Sequence, residues 1–403
     1  MVTDSTPRGS DLAPSAAPRA RLRCLYLATF DPTGSTSGTA ARGKLFLRAF
    51  SAAFETHVLH MGEKHAAGVD RELVEGLPSI RSVPYSPWDY FFFSRTFHQA
   101  AVEMIEARGI DFVFADFEKS GLYARLLQRR FGTPYVYNSH NVEYRRYLDF
   151  ARTKPTRYPF VPYMYWAEKV ACRHALFTVA ISQQDAVSFA RWLPEDRLTV
   201  LPCAFDEQVI HPHYEDVVEP RPVVLLVGNY RNAGNRLGAL KVFREILPPV
   251  VARHPNVLFR FVGKDLPPEI RHPNAEGLDF VDDLLDQYRR ATVVIAPIEI
   301  GGGIKIKVIE ALAAGRFLVA TEKAMEGIPS HGLENLRIVP LERFPDAVAD
   351  AVAARPPKTT ANFDPLRRGF GSRTQLAALT QRIETALEAP AGCDRGAPPG
   401  PVG

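Results

Sequence analysis

A chain of 403 residues is long enough for two cores of ordinary domain size. Its 46% hydrophobic and 23% charged residues make a globular composition and exclude a chain disordered throughout. A formal net charge of +4 suits an anionic small molecule, a nucleic acid or a membrane surface and decides among none of them.

Residues 1–20 and 390–403 are rich in Pro, Gly, Ala and Ser, bury too little apolar surface to offset ordering entropy, and read as disordered tails. The first lacks the apolar core of a secretory signal, and no apolar run reaches the roughly 20 residues that a membrane span needs. Cys24, Cys172, Cys203 and Cys393 show no CxxC or Cys/His spacing, which points away from zinc and disulfides and toward a reducing compartment. A cytoplasmic protein is expected, with at most peripheral contact at the inner membrane face.

Between the tails, short apolar runs alternate with longer amphipathic stretches. They are "LRCLYLATF", "THVLHM", "DFVFADF", "PYVYN" and "LFTVAIS", then "PVVLLVGN", "VLFRFVG", "TVVIAPI" and "RFLVAT". Such runs read as strands buried on both faces and the stretches between them as helices, which is α/β with parallel sheets. The rhythm breaks once, over the Pro-rich and acidic residues 201–222. This predicts an N-terminal Rossmann-like domain at 21–205 and a C-terminal one at 206–389, with a ligand cleft lined by strand carboxyl ends. A last helix at 373–388, with Leu376, Leu379, Ile383 and Leu387 at helical spacing, must dock somewhere, the N-terminal domain included.

After the first strand comes "GSTSGTAARGKLFLRAF", whose residues 38–44 satisfy GxxxxGK, while "FVFAD" ends on an acid at Asp116. Together these suggest a magnesium-dependent NTPase, but Leu45 stands where a Ser or Thr hydroxyl would ligate the metal. A plainer reading makes this a loop of small residues with Arg42 and Lys44 on the surface. A third, which we favour, uses backbone N–H groups around Gly34, Ser37, Gly38 and Thr39 to help hold an anionic ligand or the acceptor. The aromatic stretch "PYSPWDYFFFSRTF" is expected mainly in the core, with an acceptor platform or a shallow membrane contact as alternatives.

"PYVYNSHNVEYRRY" puts His140 just past a strand's carboxyl end, where cleft residues sit, although a half-buried structural histidine fits the same pattern. In "AISQQDA", Ser182 reads as a helix N-cap with Asp185 three residues on. After the first strand of the second half, "VGNYRNAGNR" offers Gly228, Asn229, Arg231, Asn235 and Arg236 to a ligand at the strand end, with Arg suited to phosphate through paired charged hydrogen bonds. A solvated polar turn is the alternative.

"APIEIGGGIKIKVIEALAAG" then gives a buried strand, a run of glycines and an Ala-rich helix, the arrangement in which first-turn N–H groups and the helix dipole meet an anion. Lys305 and Lys307 in the first turns would be disfavoured by the dipole unless an anion is present. At these residues, and more weakly through "VGNYRNAGNR", "FVGKD", "AISQQDA" and "SHNVEY", the chain resembles the retaining GT-B glycosyltransferases, glycosyl transferases of group 1, family 4.

The resemblance implies a GT-B fold, two Rossmann-like domains around a cleft, and metal-independent transfer of a sugar from a nucleoside diphosphate to an acceptor hydroxyl. It implies no bound cofactor and no nucleic-acid partner; the sugar nucleotide is a co-substrate. By resemblance, Glu310 binds the ribose hydroxyls. Glu299, Gly301, Gly302, Gly303, Ile304, Lys305 and Lys307 surround the diphosphate and sugar, Arg231 or Arg236 stabilises the leaving group, and His140 contacts the sugar. Gly302 stands where the family usually has a sugar-binding Glu, and Asn229 where it usually has Arg. A sugar-nucleotide epimerase and a non-catalytic sugar-nucleotide-binding protein are the alternatives.

Overall fold

The computed structural model describes residues 21–389 except 35–37, 63–69, 85–92, 154, 280, 282 and 301–303. The first domain holds strands β1 (Arg23–Ala28), β2 (Glu55–Met61), β3 (Ser79–Val83), β4 (Phe112–Asp116), β5 (Tyr135–Asn138), β6 (Thr178–Ala180) and β7 (Leu198–Val200). They form one parallel sheet in the order 3-2-1-4-5-6-7. The second holds β8 (Val223–Val227), β9 (Leu258–Val262), β10 (Ala275–Leu278), β11 (Val293–Ala296), β12 (Leu318–Ala320) and β13 (Leu336–Ile338), also all parallel, in the order 10-9-8-11-12-13. The same Rossmann-type winding thus occurs twice.

Each apolar run singled out above lies in a strand. The strands not anticipated are β3, β7, β10 and β13, the two edges of each sheet. An interior strand such as β4 or β11 is buried along its whole length, whereas β13 is mostly exposed and β7 has no buried residue. An edge strand packs fewer neighbours and carries less apolar sequence, so it leaves less signal.

The two faces of each sheet are separate cores. On one face of the first sheet, Phe46 and Phe50 lie one turn apart on helix Gly38–Ala53 and meet Phe114 at ring separations of 5.3 and 4.5 Å. Leu376, Leu379 and Ile383 of helix Ser372–Glu388 are buried in that same cluster, so the last helix belongs to the first domain's core. The chain therefore crosses between domains twice, and the crossings are joined: Phe205 bridges Gly371. The Glu207 carboxylate accepts from the backbone N of Ser372 at 2.7 Å and of Arg373 at 2.9 Å, capping the helix from the other crossing.

Candidate active site

Ligands of open parallel sheets bind outside the strand carboxyl ends where the strand order reverses. In the second sheet that point lies between β8 and β11. Among the described residues it is flanked by 228–235 after β8 and by 297–300 and 304–310 after β11. Gly263, at φ +132, makes the close approach possible, since a Cβ there would stand 1.8 Å from the Gly228 carbonyl oxygen. Asn232 caps helix Ala233–Lys241, accepting from Gly234 N at 2.9 Å. Gly234 lets that helix lie against Ile300, whose carbonyl oxygen would be 2.9 Å from an added Cβ. The Asn235 side-chain amide then donates to the Asn229 carbonyl at 2.9 Å, which turns its own oxygen toward the next helix.

That next helix, Ile306–Ala313, buries Val308, Ile309, Leu312 and its alanines against the sheet, which turns Lys307 and Glu310 to the other side. No side chain caps its start. Lys307 Nζ donates to Asn235 Oδ1 at 2.8 Å, and among the described residues no carboxylate lies within 4.0 Å of it. Burial drags its ammonium down to about 8, with the charge of Lys305 adding to the effect. Lys305 is lowered too, first by burial and further by Lys323, with Glu326 acting against both. Three residues on, burial pushes Glu310 up to about 7, opposed by a hydrogen bond from the Tyr288 hydroxyl at 3.2 Å. Tyr288, fully buried on helix Leu284–Arg290, also reaches the Lys307 carbonyl at 3.3 Å. Lys307 and Glu310 thus show no counter-ion among the described residues, a composition suited to an anion bearing hydroxyl groups.

The other anticipated residues are engaged outside this group. Arg231, 82% exposed, pairs with Asp265 at 3.2 Å, Arg236 with Glu269 at 3.6 Å, and Glu299 with Lys241. Ile304 lies against Gly327. Gly301, Gly302, Gly303 and Ser37 fall outside the described residues. Gly34 follows a turn in which Asp31 accepts from Thr33 N at 2.9 Å, and Gly38 and Thr39 open helix Gly38–Ala53.

In the first domain, His140 sits past β5 and is almost fully buried. Its Nε2 bonds Asp116 Oδ1 at 2.7 Å. Asp116 closes β4 with no exposed surface and also accepts from Asn138 Nδ2 at 2.7 Å and from the Tyr26 hydroxyl. Burial alone would raise the Asp116 carboxyl, but His140, Tyr26 and Asn138 outweigh it and hold the group below its usual range. The imidazole is also flanked edge-on by Phe117 at 5.3 Å and Phe30 at 5.8 Å. Phe117 adopts φ 79 and ψ 162, a region nearly reserved for glycine. Such a residue costs on the order of 1–3 kcal/mol and persists where the surroundings over-determine it. Asp116 fixes the ring and commits Nε2.

These contacts correct two expectations. Asp116 is no magnesium acid: its partners are protein donors, and residues 38–44 are helical, with Lys44 4.0 Å from Asp70. Arg42 is buried rather than on the surface, because it lies on the inner side of its helix, over the Phe46 ring, donating to the carbonyls of Leu201 and Pro202 at 2.9 and 3.0 Å. Ser182 does cap its helix, accepting from Asp185 N at 3.1 Å. Of the aromatic stretch, residues 85–92 lie outside the description, Phe97 is core, and Phe93 is 45% exposed against Tyr123. Among the described residues no cluster of metal-ligating side chains occurs and no helix is long and apolar enough to cross a membrane.

Comparison with known proteins agrees with this architecture. The family described as Glycosyl transferases group 1 matches residues 221–354, and Glycosyltransferase Family 4 matches residues 38–209. No curated protein matches the sequence. A sucrose-phosphate synthase from Thermosynechococcus elongatus has a similar structure, with a TM-score of 0.65 at 17% identity, covering 91% of this chain and 100% of the other. HepE from Anabaena, in complex with UDP and glucose, gives 0.64 at 13% identity, covering 90% and 100%. A glycosyltransferase from Rickettsia africae gives 0.63 at 12% identity, covering 92% and 100%. At these identities the structures speak to the fold, and the family matches, which fall in both domains, speak to the activity. The chain belongs to the group 1, family 4 glycosyltransferases and is an enzyme of that class built on the GT-B fold.

Proposed function

We propose that the protein transfers a sugar from a nucleoside diphosphate to an acceptor hydroxyl, with retention at the anomeric carbon and without a metal ion. The observation that carries this reading is the pair Lys307 and Glu310 on the first turns of one helix, a buried ammonium and a buried carboxyl with no counter-ion among the described residues. Glu310 accepts from the two ribose hydroxyls, and Tyr288 holds its carboxylate in place. Lys305, Lys307, Asn235 and the N–H groups of residues 301–304 and 228–229 hold the diphosphate. Charge grows on that diphosphate as the glycosidic bond breaks, and fixed donors stabilise it without reorganising. Arg231, Arg236 and Glu299 serve the donor after exchanging their present partners, and His140 presents Nδ1 to the sugar.

Retention leaves the departing phosphate on the acceptor's face, where it takes the acceptor proton, so no protein nucleophile is required. The acceptor lies against the first domain, near Gly34, Ser37, Gly38 and Thr39. We take the domains as 21–205 and 206–389, with helix Ser372–Glu388 attached to the first. HepE in complex with UDP-glucose supports a sugar nucleotide as the donor. Cys24, Cys172 and Cys203, the free cysteines among the described residues, fit a reducing, cytoplasmic setting.

A thermal-shift panel of UDP, GDP, ADP and their sugars, with and without magnesium, tests the donor site. At 100 times Kd a ligand stabilises by about 2.7 kcal/mol. One nucleotide should raise the melting temperature in the wild type, independently of magnesium, and fail to do so in Glu310→Ala. A shift that survives in Glu310→Ala places the nucleotide elsewhere.

A further inference from the structure

His140 is held at its side chain by Asp116, but its backbone lies in a short segment between β5 and helix Glu143–Thr153. The residue before it is Val142, whose side chain has no acceptor. The first-turn donors are satisfied from another helix. Glu168, on Phe160–His174 and without exposed surface, accepts from Glu143 N at 2.9 Å through Oε1 and from Tyr144 N at 3.4 Å through Oε2. Beside it Glu143 is itself buried, tied by Arg146 Nε at 2.7 Å and Asn141 Nδ2 at 3.1 Å. A buried carboxyl is costly unless it is bonded, so its place against these two N–H groups is a strong structural commitment.

We propose that Glu168 is a positioning residue for His140: its buried carboxyl holds the first turn of helix Glu143–Thr153 and so fixes the segment that carries the imidazole. The proposal rests on the assignment of His140 to the donor sugar. The charged and titratable groups facing Glu168 are Glu143 and its partner Arg146, Asp185 on helix Gln183–Phe189 with Arg145 near it, and Cys172 one turn along its own helix. Burial pushes Glu168 up to about 8, opposed by the two N–H bonds and reinforced by Glu143 and Asp185.

The test uses the full chain, UDP and UDP-glucose, with His140→Ala as reference. In Glu168→Gln, which keeps a neutral acceptor, kcat for UDP release at pH 7 should stay within about twofold. In Glu168→Ala, kcat should fall at least about tenfold with the Kd for UDP unchanged, because the donor's nucleotide end is held by the other domain. The ring 1H–15N signal of His140, identified by its loss in His140→Ala, should move in Glu168→Ala and stay in Glu168→Gln. A wild-type ring signal in Glu168→Ala overturns the proposal, as does a fall in UDP affinity matching the fall in kcat. If Glu168→Ala does not fold, a His140 ring signal that moves in Glu168→Gln overturns it. His140→Ala at wild-type kcat defeats the sugar assignment instead, and the ring signal still decides Glu168.

Discussion

At the scale of single residues, the proposed nucleotide site depends on two groups held away from their ordinary protonation. Lys307 falls to about 8 and Glu310 rises to about 7, both chiefly through burial. A diphosphate favours the charged lysine and raises it again, so binding at pH 8 should take up as much as about half a proton at Lys307. Ribose hydroxyls donate to the charged carboxylate and lower Glu310, so binding near pH 7 should release protons. Affinity is therefore expected to peak between pH 7 and 8, falling below as Glu310 protonates and above as Lys307 loses its charge. Calorimetry in buffers of different ionisation heat checks both signs. Lys307→Met should abolish the uptake and weaken binding about 10-fold or more, the loss of one charged hydrogen bond. A proton count of zero at both pH values, or one untouched by Lys307→Met, contradicts the assignment. Glu310 and Lys307 were readable as types in a helix start, but Tyr288 was not, since it arrives from a separate helix 22 residues upstream. The acid ending "FVFAD" was visible as well, yet its partner His140 lies 24 residues on, and only the pairing of β4 with β5 brings them together.

At the scale of elements, interior strands announce themselves because burial on both faces demands continuous apolar sequence. Edge strands such as "LTV" of β7 or "LRI" of β13 do not. The glycines of the site divide in the same way. A positive φ and a close contact cannot be seen in "FVGKD", yet Gly263 is where the turn after β9 meets the turn after β8. In Gly263→Ala the new methyl would collide with the Gly228 carbonyl and the backbone would be strained as well. We expect a loss of about 3 kcal/mol or more, combining overpacking and an unfavourable φ. Chemical denaturation measures that loss, and nucleotide affinity should fall with it because the turn at 228–229 must move. A Gly263→Ala variant with wild-type stability and affinity would show that these turns are not coupled.

At the scale of the whole molecule, two parallel-sheet halves of like winding were legible from the alternation of runs. The resemblance added the family. The way the chain closes on itself was not legible: the last helix supplies three buried residues to the first domain's core, and Glu207 ties the two crossings together. In the proposed division the second domain carries the donor while the first holds His140. The most direct test of this division is a crystal structure of the chain with the nucleoside diphosphate that gives the largest thermal shift. It should show the ribose hydroxyls on Glu310 and the phosphates at Lys305, Lys307 and the start of helix Ile306–Ala313. Nucleotide bound elsewhere, with Lys307 still on Asn235 and Glu310 bonded to Tyr288 alone, would contradict it.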